Sequence, residues 1–149
     1  MTHPEVHPFI QLANVRVRLG GTEILRGVSA GIPRGRMTAI LGLNGAGKTT
    51  LLSKLIPALT AQGLRVSTLK HAHHAFDLDT PGKDSWVHRQ SGATEVAIVS
   101  ANRYAIMHEL RGEPEQSLQQ LVERISPCDL LLVEGFKREA IPKLEVFRR

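Results

Sequence analysis

Three observations predict an α/β fold with a mostly parallel sheet flanked by helices and an N-terminal antiparallel strand pair. From residue 37 onward, short apolar runs alternate with segments of helical periodicity. A glycine-rich loop at 42–48 joins one such run to an amphipathic stretch, and two alternating segments split by Gly20-Gly21 precede it.

Taken in order, Ile10, Leu12, Val15, Val17 and Leu19 in "FIQLANVRVRLGG" predict a strand that turns at Gly20-Gly21. "EILRGVSAGIPRGR" carries Ile24, Leu25, Val28 and Ile32 and predicts a second strand ended by Pro33 and Gly35, antiparallel to the first. "MTAILG", 37–42, has the apolar run of a strand buried on both faces. From Lys48 to about Gln62, Leu51, Leu52, Leu55, Ile56 and Leu59 share one helical face; Gly63 is placed to end the helix, and Pro57 predicts a bend rather than a stop.

"LRVSTLK", 64–70, predicts a second buried strand, and the polar "HAHHAFDLDTPGKD" an irregular loop. A short helix within "KDSWVHRQSGA", strands in "TEVAIVSA" and "RYAIMHEL" joined at Asn102, a helix entered at Pro114, and a buried strand "CDLLLVEG" ending in an acidic residue complete the pattern.

At 149 residues the chain has room for one domain with a substantial core. Hydrophobic residues at 42% and charged residues at 22% exclude disorder as its main state. No apolar run approaches the roughly 20 residues of a membrane helix, and "MTHPEVHPFI" has neither the basic flank nor the apolar core of a signal peptide. The expected location is cytoplasmic, without membrane insertion. Cys128 is the single cysteine, so an intramolecular disulfide is excluded.

The net charge of +5 is spread singly along the chain: residues 1–36 hold five Arg against Glu5 and Glu23. With aromatics at 4% there are too few rings for base stacking, so nucleic acid is not an expected partner.

Gly42-Leu43-Asn44-Gly45-Ala46-Gly47-Lys48-Thr49 satisfies G-x-x-x-x-G-K-[ST]. Its glycines let successive backbone N–H groups from Asn44 to Thr50 face one anion, while the helix N-terminus adds partial positive charge. Lys48 is suited to the β and γ phosphates and the Thr49 hydroxyl to Mg²⁺. The predicted fold is therefore P-loop NTPase-like. Glu134, at the end of "DLLLVEG", has the position of an acidic residue near Mg²⁺ or an attacking water, and Gly135 would admit close approach of phosphate.

Lys70, Asp77 and Asp79 should emerge beyond the carboxyl ends of the strands, where ligands of open α/β sheets lie; Asp79 is a further magnesium candidate. His71, His73 and His74 with the two aspartates offer metal-ligand chemistry, but their spacing fits no zinc pattern. His88 and Arg89 are candidates for an anionic substrate or a second subunit, Lys137 and Arg138 for phosphate, and Trp86 for packing.

The opening "IQLANVRVRLGGTEILRGVSAGIPRGRMTAILGLNGAGKTTLL" resembles the start of an ABC-transporter ATPase, in which an aromatic near the first strand stacks on adenine. Arg18 or Leu19 stands near that place here, and no LSGGQ-like signature, Q-loop or Asp-Glu strand end follows. From about residue 38 the chain resembles the MobB family of molybdopterin-guanine dinucleotide biosynthesis, through "GAGKTTLLSKLIPAL", "GLRVSTLKHAHHAFDLDTPGKDSWVHRQSGA", "MHELRGEPE" and "DLLLVEGFKREAIPKLEV".

The MobB resemblance implies a GTP-binding, usually dimeric P-loop protein that assists a molybdenum cofactor guanylyltransferase acting on molybdopterin, with weak GTP hydrolysis. It divides the chain into an ABC-like extension, 1–36, and a P-loop domain, 37–149, that is short at its C-terminal end relative to the family. Two alternatives follow: an ATP-binding transporter subunit, from the opening residues, and an adaptor that binds nucleotide without turnover. An exposed sheet edge on the C-terminal side would favour self-association.

Overall fold

The computed structural model describes residues 9–32, 38–42, 46–72 and 76–146. Along the chain these form β1 (Ile10–Leu19), β2 (Thr22–Ile32), β3 (Thr38–Leu41), α1 (Lys48–Thr60), β4 (Val66–Lys70) and α2 (Asp84–Gln90). There follow β5 (Glu95–Val99), β6 (Tyr104–His108), α3 (Leu118–Arg124), β7 (Leu130–Glu134) and β8 (Lys143–Glu145). The chain divides into two compact units, Met1–His71 with Glu123–Arg149, and Ala72–Val122.

In the first unit, β1 and β2 pair antiparallel. Leu12 and Val15 are an odd step apart and cannot share a face of a regular strand. A register shift between them absorbs the extra residue, with Asn14 at φ 48° and its N–H donated to the Ser29 hydroxyl at 2.9 Å. Across the ribbon Gly27 stands at φ 93°, where a Cβ would come within 2.6 Å of Asn14 Oδ1.

Once the bulge has corrected the phase, the ribbon's apolar face is continuous. Ile10, Leu12, Leu25 and Ile32 are buried in the same cluster as Ile40 of β3, Leu51, Leu55 and Leu59 of α1, and Leu130 and Leu132 of β7. The N-terminal extension is therefore part of the core of the unit that carries the glycine loop.

The central sheet has the order β4-β7-β3-β8, with every neighbouring pair parallel. β8 is an edge strand that the sequence pattern does not announce: "KLE" is three residues long with charges at both ends. Register brings Glu134 abreast of Ile40 on one side and Lys70 on the other, so β3, β4 and β7 end at one level.

α1 buries Leu51, Leu55 and Leu59, spaced four residues apart on one stripe. Burial of each side chain stabilises the fold by roughly 1.5–3 kcal/mol. The helix runs through Pro57 and ends in a Schellman motif. The Gly63 N–H reaches the Thr60 carbonyl at 2.9 Å and the Leu64 N–H that of Leu59 at 3.3 Å, with Gly63 at φ 83°.

α2 and the antiparallel pair β5–β6 belong to the second unit. α3 begins at Leu118, later than the Pro114 entry the sequence predicts. Ser117 and Gln120 explain the difference, because they form a capping box. The Gln120 N–H donates to Ser117 Oγ at 3.3 Å, and the Ser117 N–H to Gln120 Oε1 at 2.8 Å. No helix among the described residues is long and apolar enough to cross a membrane.

Candidate functional site

Gly42 leaves β3 at φ 148°, and a Cβ there would overlap the Val146 carbonyl oxygen just past β8. At the other end of the loop Gly47 has φ 101°, and a Cβ would lie 3.2 Å from both Ile24 Cγ2 and Leu25 Cδ2 of β2. Both ends of the loop thus need glycine for backbone conformation and for space. Gly47 stands at the N-cap of α1, and Ala46 beside it is buried. Asn44 and Gly45 lie outside the described residues.

Lys48, the first residue of α1, turns its ammonium back onto the Gly42 carbonyl at 2.5 Å. That contact holds a positive charge within the loop, at the helix end where the backbone dipole is also positive. Thr49 is exposed and Thr50 partly exposed in the same first turn.

Glu134 ends β7 one strand away from the loop, its side chain 17% exposed. Lys70 Nζ lies 3.9 Å from its Oε2, and with the lysine side chain 68% exposed the attraction is weak. Gly135 follows at φ 97°, where a Cβ would stand 2.8 Å from His71 Cβ. What Gly135 admits in this structure is His71, whose N–H donates to the Glu134 carbonyl at 2.9 Å and whose ring packs tilted against Phe136, centroids 4.9 Å apart. His71 had been legible only as a metal-ligand candidate. It joins the ends of β4 and β7.

In the second unit, Asp77 and Asp79 are both engaged by Arg89. Arg89 Nη2 meets the two Asp77 oxygens at 2.7 and 2.8 Å, Nε meets Asp79 at 3.3 Å, and Nη1 meets Glu109 at 2.7 Å. The Ser85 hydroxyl adds a bond to Asp79 at 2.7 Å. Hydrogen bonding from Arg89 holds the Asp77 carboxyl below its usual range, and Asp77 and Glu109 in turn raise the Arg89 guanidinium further above its own. Arg89 reads here as the hub of a loop-ordering network. Its partners lie 10, 12 and 20 residues away in sequence, a spacing that carries no pattern.

No group of three or more His, Cys, Asp or Glu placed to hold a metal occurs among the described residues; His73 and His74 are not among them. Glycines at both ends of the loop, a lysine ammonium within it, an exposed threonine hydroxyl at the helix start and a carboxylate one strand over fit a nucleoside phosphate with a divalent cation.

Residues 37–149 match the family model described as Molybdopterin guanine dinucleotide synthesis protein B. A relative from Escherichia coli (strain K12), the molybdopterin-guanine dinucleotide biosynthesis adapter protein, is 49% identical over 114 residues, which cover 75% of this chain and 65% of that protein. The chain thus spans just under two thirds of that relative's length. The crystal structure of Bacillus subtilis MobB aligns with a TM-score of 0.64 at 27% identity, over 76% of this chain and 69% of that one.

A shorter similarity, 45% identical over 53 residues, links 36% of this chain to 14% of the sulfate/thiosulfate import ATP-binding protein CysA of Escherichia coli (strain K12). The family match covers most of the sequence, including Lys48, Thr49 and Glu134, and on that basis the chain belongs to the molybdopterin guanine dinucleotide synthesis protein B family.

Proposed function

We propose that this chain binds GTP with Mg²⁺ and assists a molybdenum cofactor guanylyltransferase in forming molybdopterin guanine dinucleotide, with molybdopterin as the acceptor in that reaction. The observation that carries the proposal is the loop itself: Lys48 on the Gly42 carbonyl at the start of α1, in a domain matching the family over residues 37–149. In this reading Asn44, Gly45, Ala46, Gly47 and Thr50 supply backbone to the phosphates and Lys48 supplies charge. Thr49 and Glu134 are the magnesium-side groups. When bound, the cation neutralises charge on the phosphate oxygens.

Lys70 and Gly135 stay at the site's margin as neighbours of Glu134. Asp77 and Asp79, which Arg89 bonds in the second unit, are secondary candidates for magnesium in this proposal. Hydrolysis is slow in this proposal, with catalysis resting on charge stabilisation by Lys48 and the cation, and Glu134 nearby.

Self-association through the β5–β6 pair is part of the same proposal. Val99, Tyr104 and Ile106 are 80%, 70% and 61% exposed on a two-stranded sheet, an apolar surface that a second copy of the chain would cover. GTP turnover measured with and without the guanylyltransferase tests the functional proposal. Activation by the partner supports an assisting GTPase; tight GTP binding with no turnover in either condition supports the adaptor reading; preference for ATP contradicts both.

A further inference from the structure

The cavity beside the phosphate loop is built partly from the N-terminal ribbon, which precedes the family match at residues 37–149. It has a volume of about 490 Å³, within the roughly 300–1,000 Å³ typical of small-molecule sites. β2 lines one side through Ile24, Arg26 and Val28; Ala46 of the loop lines the second; Glu145 and Val146 at the end of β8 line the third.

Two sheet-edge strands contribute residues to its wall. β8 is the outer strand of the order β4-β7-β3-β8, and β2 pairs only with β1 among the described residues. Edge strands present peptide N–H and C=O groups that seek hydrogen-bond partners. A planar heterocycle with donors and acceptors on its rim satisfies such groups, and apolar Ile24, Val28, Ala46 and Val146 are suited to its faces.

We propose that this cavity takes the nucleoside part of the nucleotide whose phosphates the Lys48 loop holds, so that β2 supplies one wall of the base site. The proposal rests on the phosphate-binding reading of that loop. Continuity decides the occupant: Ala46 belongs both to the loop and to the cavity wall. The wall also bears on selectivity. Among the described lining residues Glu145 alone carries a carboxylate, and guanine presents an adjacent ring N–H and amino group to such an acceptor, whereas adenine presents no such pair.

The experiment uses the full chain with Mg²⁺ at 0.15 M salt and measures affinity for GTP, ATP and inorganic tripolyphosphate. Arg26→Trp fills the cavity from an exposed strand position; Glu145→Gln keeps shape and removes the charge, and unchanged melting temperatures check the fold. The expected result is a loss of GTP affinity of about tenfold or more in each variant, with tripolyphosphate affinity retained. GTP affinity unchanged in both variants, while Lys48→Ala abolishes binding, overturns the cavity proposal and leaves the loop reading standing. Equal weakening of GTP and tripolyphosphate by Arg26→Trp also overturns it, since the effect would then act on the loop. GTP binding that survives Lys48→Ala removes the loop reading and this proposal together.

Discussion

His71 and Gly135 show how a single backbone position fixes the margin of the site. Alanine at 135 would need φ near 97° and would place its Cβ 2.8 Å from His71 Cβ, an atom tied to the backbone. Gly135→Ala is expected to destabilise the chain by more than about 1 kcal/mol, read from denaturant unfolding. A variant as stable as the parent would show that β4 and β7 can separate there at no cost.

His108 offers a second test at this scale. Its Nδ1 lies 2.8 Å from Glu95 and its Nε2 3.3 Å from Glu113, and hydrogen bonding to those carboxylates raises its pKa above the ordinary 6.5. A raised folded-state pKa contributes stability that is fully present below 6.5 and lost as pH rises through the raised value. NMR titration of His108 should give a midpoint above 6.5, moved downward by Glu95→Gln, the partner with the larger effect. A midpoint at or below 6.5 in the parent contradicts the double contact.

Among elements, α1 was the most legible in the sequence, because its leucine stripe, its glycine loop and Gly63 all indicate the same helix. Leu55→Ala is expected to cost about 2–5 kcal/mol, since it removes a buried side chain from the stripe shared with the ribbon and β7. A loss below 1 kcal/mol would mean that the neighbours collapse into the space. Less of β8 and α3 could be read. β8 is set by pairing with β3 and not by its three residues, and the start of α3 by a capping pair that a Pro-led pattern obscures. Ser117→Ala should cost about 1 kcal/mol and fray the first turn of α3, visible as faster amide exchange at Gln119 and Gln120.

At the scale of the whole molecule, the N-terminal ribbon shares a core with β3, α1 and β7 of the first unit although the sequence divides them at residue 36. Composition reveals the division; only packing reveals that Leu12, Leu25 and Ile32 share a cluster with Leu51 and Leu130. The ribbon also crowds the loop, since Ile24 and Leu25 stand where a Gly47 Cβ would point. Neither contact has a sequence signal, because each joins residues 19 or more apart, beyond any helix or strand period. The Arg89 network was hidden because its partners lie 10, 12 and 20 residues away, at no motif spacing. Their expected place beyond the carboxyl end of a strand pointed Asp77 and Asp79 toward magnesium; in the structure Arg89 bonds both. Leu25→Ala should therefore loosen more than the ribbon, speeding amide exchange in the first turn of α1; an effect confined to β1 and β2 would show that the two segments are energetically separate.

Everything proposed for the site depends on guanine-nucleotide binding by the Lys48 loop. Titration of GTP and ATP against the full chain with Mg²⁺, beside Lys48→Ala, tests it most directly. GTP should bind more tightly than ATP and lose at least about 100-fold in affinity in the variant, the factor expected when a charged partner of a phosphate is removed. Binding of neither nucleotide, or GTP binding that Lys48→Ala leaves intact, would contradict it.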